Sequence, residues 1–398
     1  MPAEEVQVMP PPNNPLDAPI TLARLDVYVF RAEVAKPVVA SFGTIPSRGA
    51  VLLRLEDASG AHGWGEIWSN FPTLTTEYRG ELAAMLLPAQ VIGRRVDDPM
   101  VFNADVTAAL AVLAIQAGEP GPVAAIIAAV DQALWDLIAR RAGRPLRHLL
   151  NPAAANRVPA YASGLNPDDG VEMATAARAA GHRAFKQKIG FGDTIDFRNL
   201  QALSDGLGTG ERLFVDANQR WSLDEAIAKA GRLAPFGLGW LEEPIPADRP
   251  AAEWRALKTM VEMPIAGGEN LRGRPAFDEA REWLDVIQPD VGKWGGVSGC
   301  FAVASDTVAG GRTYCPHWLG SSVGLMHSAA LLAAAGGDGL LEMDVNENPL
   351  RDAMLDGCLA VADGQAVLPS APGIGLDIDV AALAAWQVSH RTFDQTTL

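Results

Sequence analysis

Three acidic residues stand at near-equal intervals in the second half of the chain. Asp216, Glu242 and Glu269 each close a short apolar run, at steps of roughly 26 residues, the length of one strand plus one helix in a (β/α)8 barrel. Lys186 and Lys188 end an earlier apolar run in the same way. This spacing predicts that all five side chains lie at the carboxyl ends of neighbouring strands, on one rim. Carboxylates that converge there would bind a divalent cation, and the lysine pair supplies a candidate base.

The strands and helices that position these residues can be predicted from the sequence, in which short apolar runs alternate with helical stretches. Such alternation indicates a parallel sheet, and eight units indicate closure into a barrel. The predicted strands lie near residues 158–163, 184–189, 212–216, 238–242, 264–268, 285–289, 312–316 and 339–343. Asp290, His317 and Glu342 then end strands six, seven and eight. The lysines on strand two therefore face the Asp290–His317 pair across the cavity.

The acidic residues and the lysine pair each predict a definite chemistry. Oxygen ligands without histidine or cysteine favour Mg²⁺, so Asp216, Glu242 and Glu269 are the candidate ligands of one ion per active site. Lys186 and Lys188 are two residues apart and point to the same side of a strand. We expect the two ammonium groups to lower each other's pKa and to leave one lysine neutral as a base.

A second acid/base candidate lies on the other side of the cavity. A lone histidine at a strand end is more often a structural residue than a catalyst, but His317 has Asp290 on the adjacent predicted strand. The carboxylate would bind one ring nitrogen, fix the tautomer and raise the basicity of the other nitrogen. The sequence therefore predicts two acid/base groups, Lys188 and His317, that face one cavity.

The chain before the barrel has a different organisation. Strand-like patterns extend from Ile20 to about Glu66 and helical patterns follow to Leu149, which indicates an α+β domain. We assign residues 1–18 to a flexible tail, 19–150 to an α+β capping domain and 151–354 to the barrel. Residues 355–398 contain turns and cannot add a barrel unit, so we expect them to complete the capping domain.

The overall composition limits which binding partners and which cellular compartment we expect for this protein. The 398 residues carry a formal net charge of −16, which argues against nucleic acid or an anionic membrane as a partner. We expect no apolar stretch to reach the ~18 residues of a membrane span. Three cysteines without metal-type spacing indicate reduced thiols and a cytoplasmic protein.

Short motifs along nearly the whole chain resemble the enolase superfamily, specifically its mandelate racemase subgroup in the mandelate racemase/muconate lactonizing enzyme family. The matching motifs are Phe185-Lys-Gln-Lys188, Val215-Asp-Ala-Asn218, Trp240-Leu-Glu-Glu-Pro244, Gly267-Gly-Glu-Asn270, Ile287-Gln-Pro-Asp-Val-Gly-Lys-Trp-Gly-Gly296, Pro316-His317 and Leu341-Glu342. The resemblance implies an enolase-type α+β capping domain and a modified TIM barrel of the (β/α)7β type. The muconate-cycloisomerase subgroup carries a lysine where Asp290 stands, so Asp290 points to the mandelate racemase subgroup.

The resemblance also implies roles for individual residues. The implied Mg²⁺ ligands are Asp216, Glu242 and Glu269. The implied acid/base groups are Lys188 on one side and the His317–Asp290 dyad on the other. Lys186 and Glu342 would contact the substrate carboxylate, and Lys293 would be structural or would support the site residues from behind. We expect Asn218, Trp68 and Arg48 to contact the substrate as well, and the protein to form a homo-oligomer, from dimer to octamer.

The shared chemistry of the family would be removal of the proton α to a carboxylate of a small molecule, through an enediolate. We favour dehydration of an acid-sugar-like hydroxy acid to a 2-keto acid, in which His317 protonates a β-hydroxyl leaving group. The alternative is a racemase or epimerase of a 2-hydroxy acid such as a mandelate-like substrate, in which His317 returns the proton to the opposite face. A remote alternative is a barrel that binds a carboxylate without turnover.

Substrate specificity is expected in two cap loops, residues 33–48 and 64–72. Their apolar side chains are Val38, Val39, Phe42, Ile45, Trp68 and Phe71. Arg48 is the one obvious cation there besides Lys36 and could meet a distal carboxylate. An apolar pocket would favour the racemase alternative, whereas simple packing of a lid on the barrel is the other interpretation.

Overall fold

The computed structural model describes residues 14–397. The predicted flexible tail, residues 1–18, lies mostly outside the described residues. Within its described part, Asn14 donates a hydrogen bond from Nδ2 to the carbonyl oxygen of Asp97 at 2.6 Å. The described chain forms an antiparallel α+β cap and a parallel β/α barrel, which confirms the predicted fold class.

An antiparallel sheet forms the base of the cap. Its strands are β1 (Ile20–Ala40), β2 (Gly43–Asp57), β3 (His62–Ile67), the two-residue β4 (Arg95–Val96), which pairs with β1, and β15 (Gln387–Asp394) from the chain end. The order is β15-β1-β2-β3, so the end of the chain pairs with the cap sheet. Residues 33–48 are not the loop that we expected. They form the far end of the β1–β2 hairpin, because β-branched residues pair there, Val38 with Ile45 and Val39 with Thr44.

Five helices belong to the cap: α1 (Thr75–Leu86), α2 (Pro88–Val91), α3 (Pro99–Ala117), α4 (Pro120–Arg141) and α5 (Leu146–Leu150). Contrary to our expectation, α3 and α4 are both long and apolar enough to span a membrane. In α4, 89% of the apolar window is buried, so this helix forms part of the core of the fold. In α3 only 22% of the window is buried, which leaves an apolar surface exposed.

β3 and α4 approach each other closely because β3 carries glycines. A Cβ on Gly65 would lie 1.9 Å from the carbonyl oxygen of Ala129, and one on Gly63 would lie 2.2 Å from that of Ala133. Any larger side chain would force the strand away from the helix. The contact places the end of β3, and with it Glu66, against the barrel.

The barrel contains the eight parallel strands that the sequence predicts. They are β5 (Arg157–Leu165), β6 (Ala184–Lys188), β7 (Arg212–Asp216), β8 (Leu241–Glu242), β9 (Ile265–Gly267), β10 (Val286–Ile287), β11 (Thr313–Tyr314) and β12 (Leu341–Asp344). Each overlaps one predicted strand. Successive strands from β5 to β11 pair in parallel, and β12 pairs with β5, which joins the two ends of the series.

Helices connect the barrel strands: α6 (Gly170–Ala179), α7 (Asp193–Asp205), α8 (Leu223–Leu233), α9 (Ala251–Met260), α10 (Arg274–Ala280), α11 (Gly296–Ala309) and α12 (Ser322–Ala335). Within the described chain this is the (β/α)7β pattern. After β12 come α13 (Pro349–Leu355) and a hairpin of β13 (Ala360–Ala362) and β14 (Gln365–Val367). β14 pairs antiparallel with β5, so the final segment contacts the barrel before it reaches the cap.

An apolar cluster fills the centre of the barrel. Each of the eight strands, or the residue beside it, contributes one buried side chain: Tyr161, Ala184, Phe214, Trp240, Ala266, Val286, Cys315 and Leu340. The Phe214 and Trp240 rings stack with centroids 3.7 Å apart. This filled interior is a packed floor, and it fixes the height at which the next inward-facing side chains stand.

The close contact between β3 and α4 generates a stability prediction. Gly65→Ala should lower the free energy of unfolding by about 1–3 kcal/mol, because its Cβ would meet the α4 backbone. Gly231→Ala is the matched control: it lies exposed in α8 with open space around it, and should raise stability by up to about 1 kcal/mol. Urea denaturation of both variants makes the comparison. Equal effects would mean that β3 and α4 separate more easily than their contact suggests.

Candidate active site

The functional side chains form the layer directly above the apolar floor. Residues two apart on a strand point the same way, so each floor residue is followed two positions later by another inward-facing residue. The residues in that second position are Ser163, Lys186, Asp216, Glu242, Gly268, Gln288, His317 and Glu342. Repeating the step from Lys186 and Gln288 gives Lys188 and Asp290. The strand period thus collects most of the predicted site residues at one rim.

Lys186 occupies the middle of this layer and is fully buried. Its Nζ lies 2.6 Å from Glu242 Oε1, 2.7 Å from Glu342 Oε1 and 3.9 Å from Asp216 Oδ2. Burial alone would lower the pKa of Lys186, but Glu242 and Glu342 outweigh it and hold the pKa well above its ordinary value.

Lys188 pairs with Asp216, since its Nζ donates to Asp216 Oδ2 at 2.6 Å. Burial has the largest single effect and lowers the pKa of Lys188, but the charge and hydrogen bond of Asp216 together with the charge of Glu242 outweigh it, so the pKa lies above its ordinary value. Lys186 does lower the pKa of Lys188, as we expected, but its effect is smaller than the opposite effect of Asp216. The expectation that the lysine pair leaves one member neutral is therefore wrong for this arrangement, because each lysine has a carboxylate partner.

The two adjacent glutamates of β8 and its end have different surroundings. Glu242 accepts hydrogen bonds from Lys186, from Trp240 Nε1 at 3.0 Å and from Gln288 Nε2 at 2.9 Å. Glu243 has a positive φ of 38° and instead accepts from Asn270 Nδ2 at 2.9 Å. Burial raises the pKa of Glu242 to about 7, and burial together with Glu269 raises that of Glu243 well above its ordinary value.

His317 lies between two carboxylates. Its Nδ1 is 2.6 Å from Asp290 Oδ2, as the predicted dyad requires, and its Nε2 is 2.5 Å from Glu269 Oε2. Burial alone would lower the pKa of His317, but Glu269, Glu342 and the bond to Asp290 raise it to about 10. The imidazole is therefore cationic at neutral pH in this arrangement.

Glu342 is a hydrogen-bond acceptor in this site. Burial alone would raise the pKa of Glu342. The charges of Lys186 and His317, with the hydrogen bonds from Lys186 and Ser163, outweigh burial and lower the pKa to about 2. Ser163 Oγ donates to Oε1 at 2.5 Å and the Trp318 backbone N–H donates to Oε2 at 2.9 Å. Glu342 is therefore a carboxylate in this arrangement, and both of its oxygens already accept hydrogen bonds.

A cavity of about 210 Å³ opens above this layer, between barrel and cap. Its polar wall is made by Lys188, Asn218, Gln219, Glu269, Asn270, Lys293 and His317. Its apolar wall comes mainly from the cap: Val38, Ala40, Phe42, Ile45, Trp68, Phe71 and Leu319. Lys188 and His317 thus face the same space, as predicted, and five of the six apolar cap residues that we singled out line it. Val39 is not among the lining residues.

Arg48 is placed differently from our expectation. It is fully buried and its Nη2 donates to Asp344 Oδ2 at 2.6 Å, at the end of β12. It does not line the cavity, because that ion pair holds it on the neighbouring face of the hairpin. Lys293 contacts a site residue, as one of the two alternatives for it predicted, and it also lines the cavity: its Nζ lies 3.1 Å from Glu269 Oε1 and 4.3 Å from the Trp68 ring centroid.

The charges of the connected cluster do not balance. Its six carboxyl groups are Asp216, Glu242, Glu243, Glu269, Asp290 and Glu342. Its four cationic groups are Lys186, Lys188, Lys293 and His317. Two positive charges are missing even with a protonated imidazole, and the neighbouring carboxylates add to burial, the main cause, in raising the pKa values of Glu242 and Glu243. Within residues 14–397 no three His, Cys, Asp or Glu side chains already converge as a metal site, because lysines and His317 bind the predicted ligands instead.

Several contacts of the cluster come from residues that sequence reasoning missed. Ser163 and Gln288 bind Glu342 and Glu242, and Asn270 links Glu243 to Glu269. Ser163 and Gln288 could have been found by counting two residues on from Tyr161 and Val286. No comparable pattern marks Asn270, which follows the end of β9 in a turn.

Two family models match the chain and together cover most of it. The model described as "Mandelate racemase / muconate lactonizing enzyme, N-terminal domain" matches residues 24–151, and "Enolase C-terminal domain-like" matches residues 170–382. Among curated relatives, D-galactarolactone cycloisomerase of Agrobacterium fabrum is 29% identical over 93% of this chain and 99% of the relative. Arabinonate dehydratase of Saccharolobus solfataricus is 30% identical over 66% and 72%, and 3,6-anhydro-alpha-L-galactonate cycloisomerase of Streptomyces coelicolor is 31% identical over 84% and 90%.

Solved structures give the same assignment. A mandelate racemase/muconate lactonizing enzyme from Bordetella bronchiseptica superposes with a TM-score of 0.86 at 46% identity, over 92% of this chain and 99% of the other. A racemase from Streptomyces coelicolor with bound magnesium gives 0.81 at 28% identity, over 92% and 100%. The chain belongs to the mandelate racemase/muconate lactonizing enzyme family of the enolase superfamily. This confirms the resemblance, and the relatives confirm that the protein is an enzyme.

Proposed function

We propose that the protein removes the proton α to the carboxylate of a small hydroxy acid and stabilises the resulting enediolate. The observation that carries this proposal is the pair Lys188 and His317, which face one cavity from separate strands with carboxylates beside both. Two acid/base groups on opposite sides of a substrate carbon can serve its two faces. The relatives include dehydratases and cycloisomerases, whose names contain sugar acids or their cyclic forms.

We propose Asp216, Glu242 and Glu269 as ligands of one Mg²⁺ ion. The three carboxylates fit such an ion because they end neighbouring strands, supply only hard oxygen donors and lie in a cluster that lacks two positive charges. The relative of 28% identity with bound magnesium supports the choice of metal. When bound, Mg²⁺ would act as a Lewis acid toward the substrate carboxylate.

Binding of the ion would also change the state of the two bases. Asp216 and Glu269 are the carboxylates that now bind Lys188 and the Nε2 atom of His317. Once they serve as ligands, both bases lose a partner that raises their pKa, so each becomes easier to deprotonate. Asp290 stays on Nδ1 and keeps the imidazole oriented. Metal loading and base activation are therefore linked through shared carboxylates.

The remaining polar groups would orient the substrate. We propose that Lys186 adds positive charge near the substrate carboxylate and that Glu342 fixes Lys186 and the loop of His317, through Trp318 N–H. Asn218 lines the cavity, and its backbone N–H and side-chain amide both bind Asp216. Trp68 closes the cavity from the cap side and excludes water.

Dehydration of a sugar-acid-like substrate is the reaction that we favour. After proton removal by Lys188, a protonated His317 would give its proton to a β-hydroxyl leaving group, and the enol product would become a 2-keto acid. Asp290 stays on Nδ1 and stabilises the protonated imidazole, which suits a proton donor, and the arabinonate dehydratase relative supports this choice.

Racemisation or epimerisation is the second candidate, and one observation favours it. The cap wall of the cavity consists of Val38, Phe42, Ile45, Trp68 and Phe71, which cannot donate or accept the hydrogen bonds of a fully hydroxylated chain, apart from the Trp68 indole. A 2-hydroxy acid with an apolar distal group would fit this wall better. In that case His317 would return a proton to the opposite face of the α-carbon.

We also propose a cytoplasmic homo-oligomer that associates through α3. Val101, Val112 and Ile115 are 58%, 68% and 73% exposed on this helix, and an apolar groove of about 480 Å³ runs beside them between α3, α4 and α11. Asp105 is the one charged residue of α3, so two copies of an acidic chain can meet here without repulsion. The absence of Lys and Arg from α3 argues against an anionic membrane as the occupant.

The α3 interface predicts a defined change in mass. Val112→Glu should shift the protein toward monomer in sedimentation velocity, because it places a charge in an apolar contact. Met260→Glu, at a similarly exposed apolar residue on α9, should leave the mass unchanged. A monomeric wild type, or co-flotation of the wild type with neutral lipid vesicles, would contradict the proposal.

The metal proposal predicts different effects for two adjacent glutamates. Glu242→Gln should lower Mg²⁺ affinity by about 10- to 100-fold and abolish turnover, because a neutral amide is a poor ligand for a hard cation. Glu243→Gln should alter Mg²⁺ affinity by only a few-fold, since Glu243 contacts Asn270 instead. Isothermal titration with Mg²⁺ measures both. Full activity in excess EDTA would contradict the proposal, as would the reverse order of the two variants.

The two-base proposal predicts face-selective loss of α-proton exchange. A panel of sugar acids and mandelate enantiomers in D2O with Mg²⁺ should identify acids whose α-hydrogen the wild type exchanges. Lys188→Ala and His317→Asn should each stop net turnover, and each should still exchange the α-proton on the face of the remaining base. Mass spectrometry and NMR of the products also separate loss of water from inversion. Wild-type turnover in both variants would show that other groups transfer the proton.

A further inference from the structure

Two buried polar residues of the cap, Glu66 and Gln132, contact the barrel loops that carry the Asp290–His317 dyad. Glu66 ends the tight β3 strand and is 1% exposed, and Gln132 lies in α4 and is 0% exposed. Neither lines the cavity or touches the metal ligands proposed above. Every polar atom of the two side chains nevertheless makes a hydrogen bond, so their bonds indicate what the two residues hold in place.

Glu66 binds the loop that follows His317. Its Oε1 accepts from the Ser321 backbone N–H at 2.7 Å, and its Oε2 accepts from Ser321 Oγ at 2.6 Å and from the Gly324 N–H at 3.0 Å. These donors lie at the beginning of α12, four to seven residues after His317. A cap carboxylate therefore fixes the point where the catalytic loop joins its helix.

Gln132 binds the loop that follows Asp290. Its Nε2 donates to the carbonyl oxygen of Val291, the next residue, at 2.9 Å. The same amide group is held by Glu66, whose N–H donates to Gln132 Oε1 at 3.1 Å and whose carbonyl accepts from Nε2 at 3.0 Å. A further bond from Trp68 N–H to Gly292 O joins β3 to this loop. One cap residue pair thus reaches the loops of both dyad members.

The Trp318 side chain locks the two loops together. Its Nε1 donates to the Ser321 carbonyl at 2.8 Å. A Cβ on Gly292 would lie 2.7 Å from its ring, and one on Gly324 would lie 2.1 Å from it. The ring therefore packs against the Asp290 loop and against the beginning of α12. Glu66 and Gln132, which we call the cap pair, form hydrogen bonds to the same two segments.

We propose that Glu66 and Gln132 are positioning residues that set the geometry of the Asp290–His317 dyad from the cap, and that they act on this base alone. The inference rests on the proposed two-base function. Lys188 stands on β6, whose backbone pairs with β5 and β7, and neither cap residue contacts it.

The cost of this arrangement supports a functional role. Burial raises the pKa of Glu66 to about 7 despite its three hydrogen bonds, so the site does not stabilise the carboxylate fully. A well-packed apolar side chain would carry no such cost. Loops are otherwise the most mobile parts of a barrel, and a base displaced by about 1 Å can lose roughly 100-fold in rate.

The test uses the full-length enzyme with Mg²⁺ and three variants that disturb the cap pair: Glu66→Gln, Gln132→Leu and Ser321→Ala. Ser321→Ala removes one donor to Glu66 without changing any charge. Asp136→Asn is the matched control, because Asp136 lies one turn after Gln132 on α4 and is equally buried, but binds the backbone N–H groups of Trp64 and Ile374 and neither dyad loop. Thermal melting establishes that each variant folds.

The first readout is hydrogen exchange by mass spectrometry, which requires no substrate. Amides of residues 290–294 and 317–324 should lose protection in the three cap-pair variants and keep it in Asp136→Asn. The second is α-proton exchange in D2O with mandelate enantiomers and sugar acids. The His317-dependent exchange should fall about 10- to 100-fold while the Lys188-dependent exchange changes less than about threefold.

Three results would overturn the inference. The loops could stay protected in the folded variants, the two exchange rates could fall together, or Asp136→Asn could behave like the cap-pair variants. If the wild type exchanges no α-proton with any acid, the proposed function fails, and the hydrogen-exchange comparison still decides whether the cap pair holds the loops.

Discussion

Burial of charge at the barrel rim is the constraint on which the rest of the structure depends. Seven of the eight strands place a polar or charged residue directly above the apolar floor, where it has little access to water. An unpaired charge in such a place would cost several kcal/mol, so every lysine in the layer has a carboxylate partner. The pairing is incomplete, with two carboxylates in excess. We interpret this excess as the physical basis for binding a divalent cation.

The cap is required by the same constraint. A cluster of this kind works on a substrate only when water is excluded during the reaction, and the β1–β2 hairpin with Trp68 and Phe71 supplies the cover. The cover must also be held in place, which the close β3–α4 contact at Gly65 and the buried bonds of Glu66 and Gln132 achieve. Buried hydrogen bonds therefore join cap and barrel behind the histidine side of the site.

The strand period made most of the fold and the site predictable from sequence. Because charged residues followed apolar runs at regular steps, the eight strands and the positions of Asp216, Glu242 and His317 could be placed in advance. Details that depend on partners far apart in the chain could not. Arg48 pairs with Asp344, almost 300 residues away, and the pKa of Lys188 depends on Asp216 more than on the neighbouring Lys186. The hairpin at residues 33–48 lacked a recognisable turn, since β-branched residues extended its strands up to the tip.

The central claim is that Asp290 acts through His317 and not through the metal. The most direct test compares Asp290→Asn, His317→Asn and the double variant for turnover, with Mg²⁺ affinity measured on each. A dyad predicts that the double variant is hardly slower than His317→Asn alone, and that Asp290→Asn by itself leaves Mg²⁺ affinity nearly unchanged. Independent losses that multiply in the double variant, or a large fall in Mg²⁺ affinity on changing Asp290, would contradict this account.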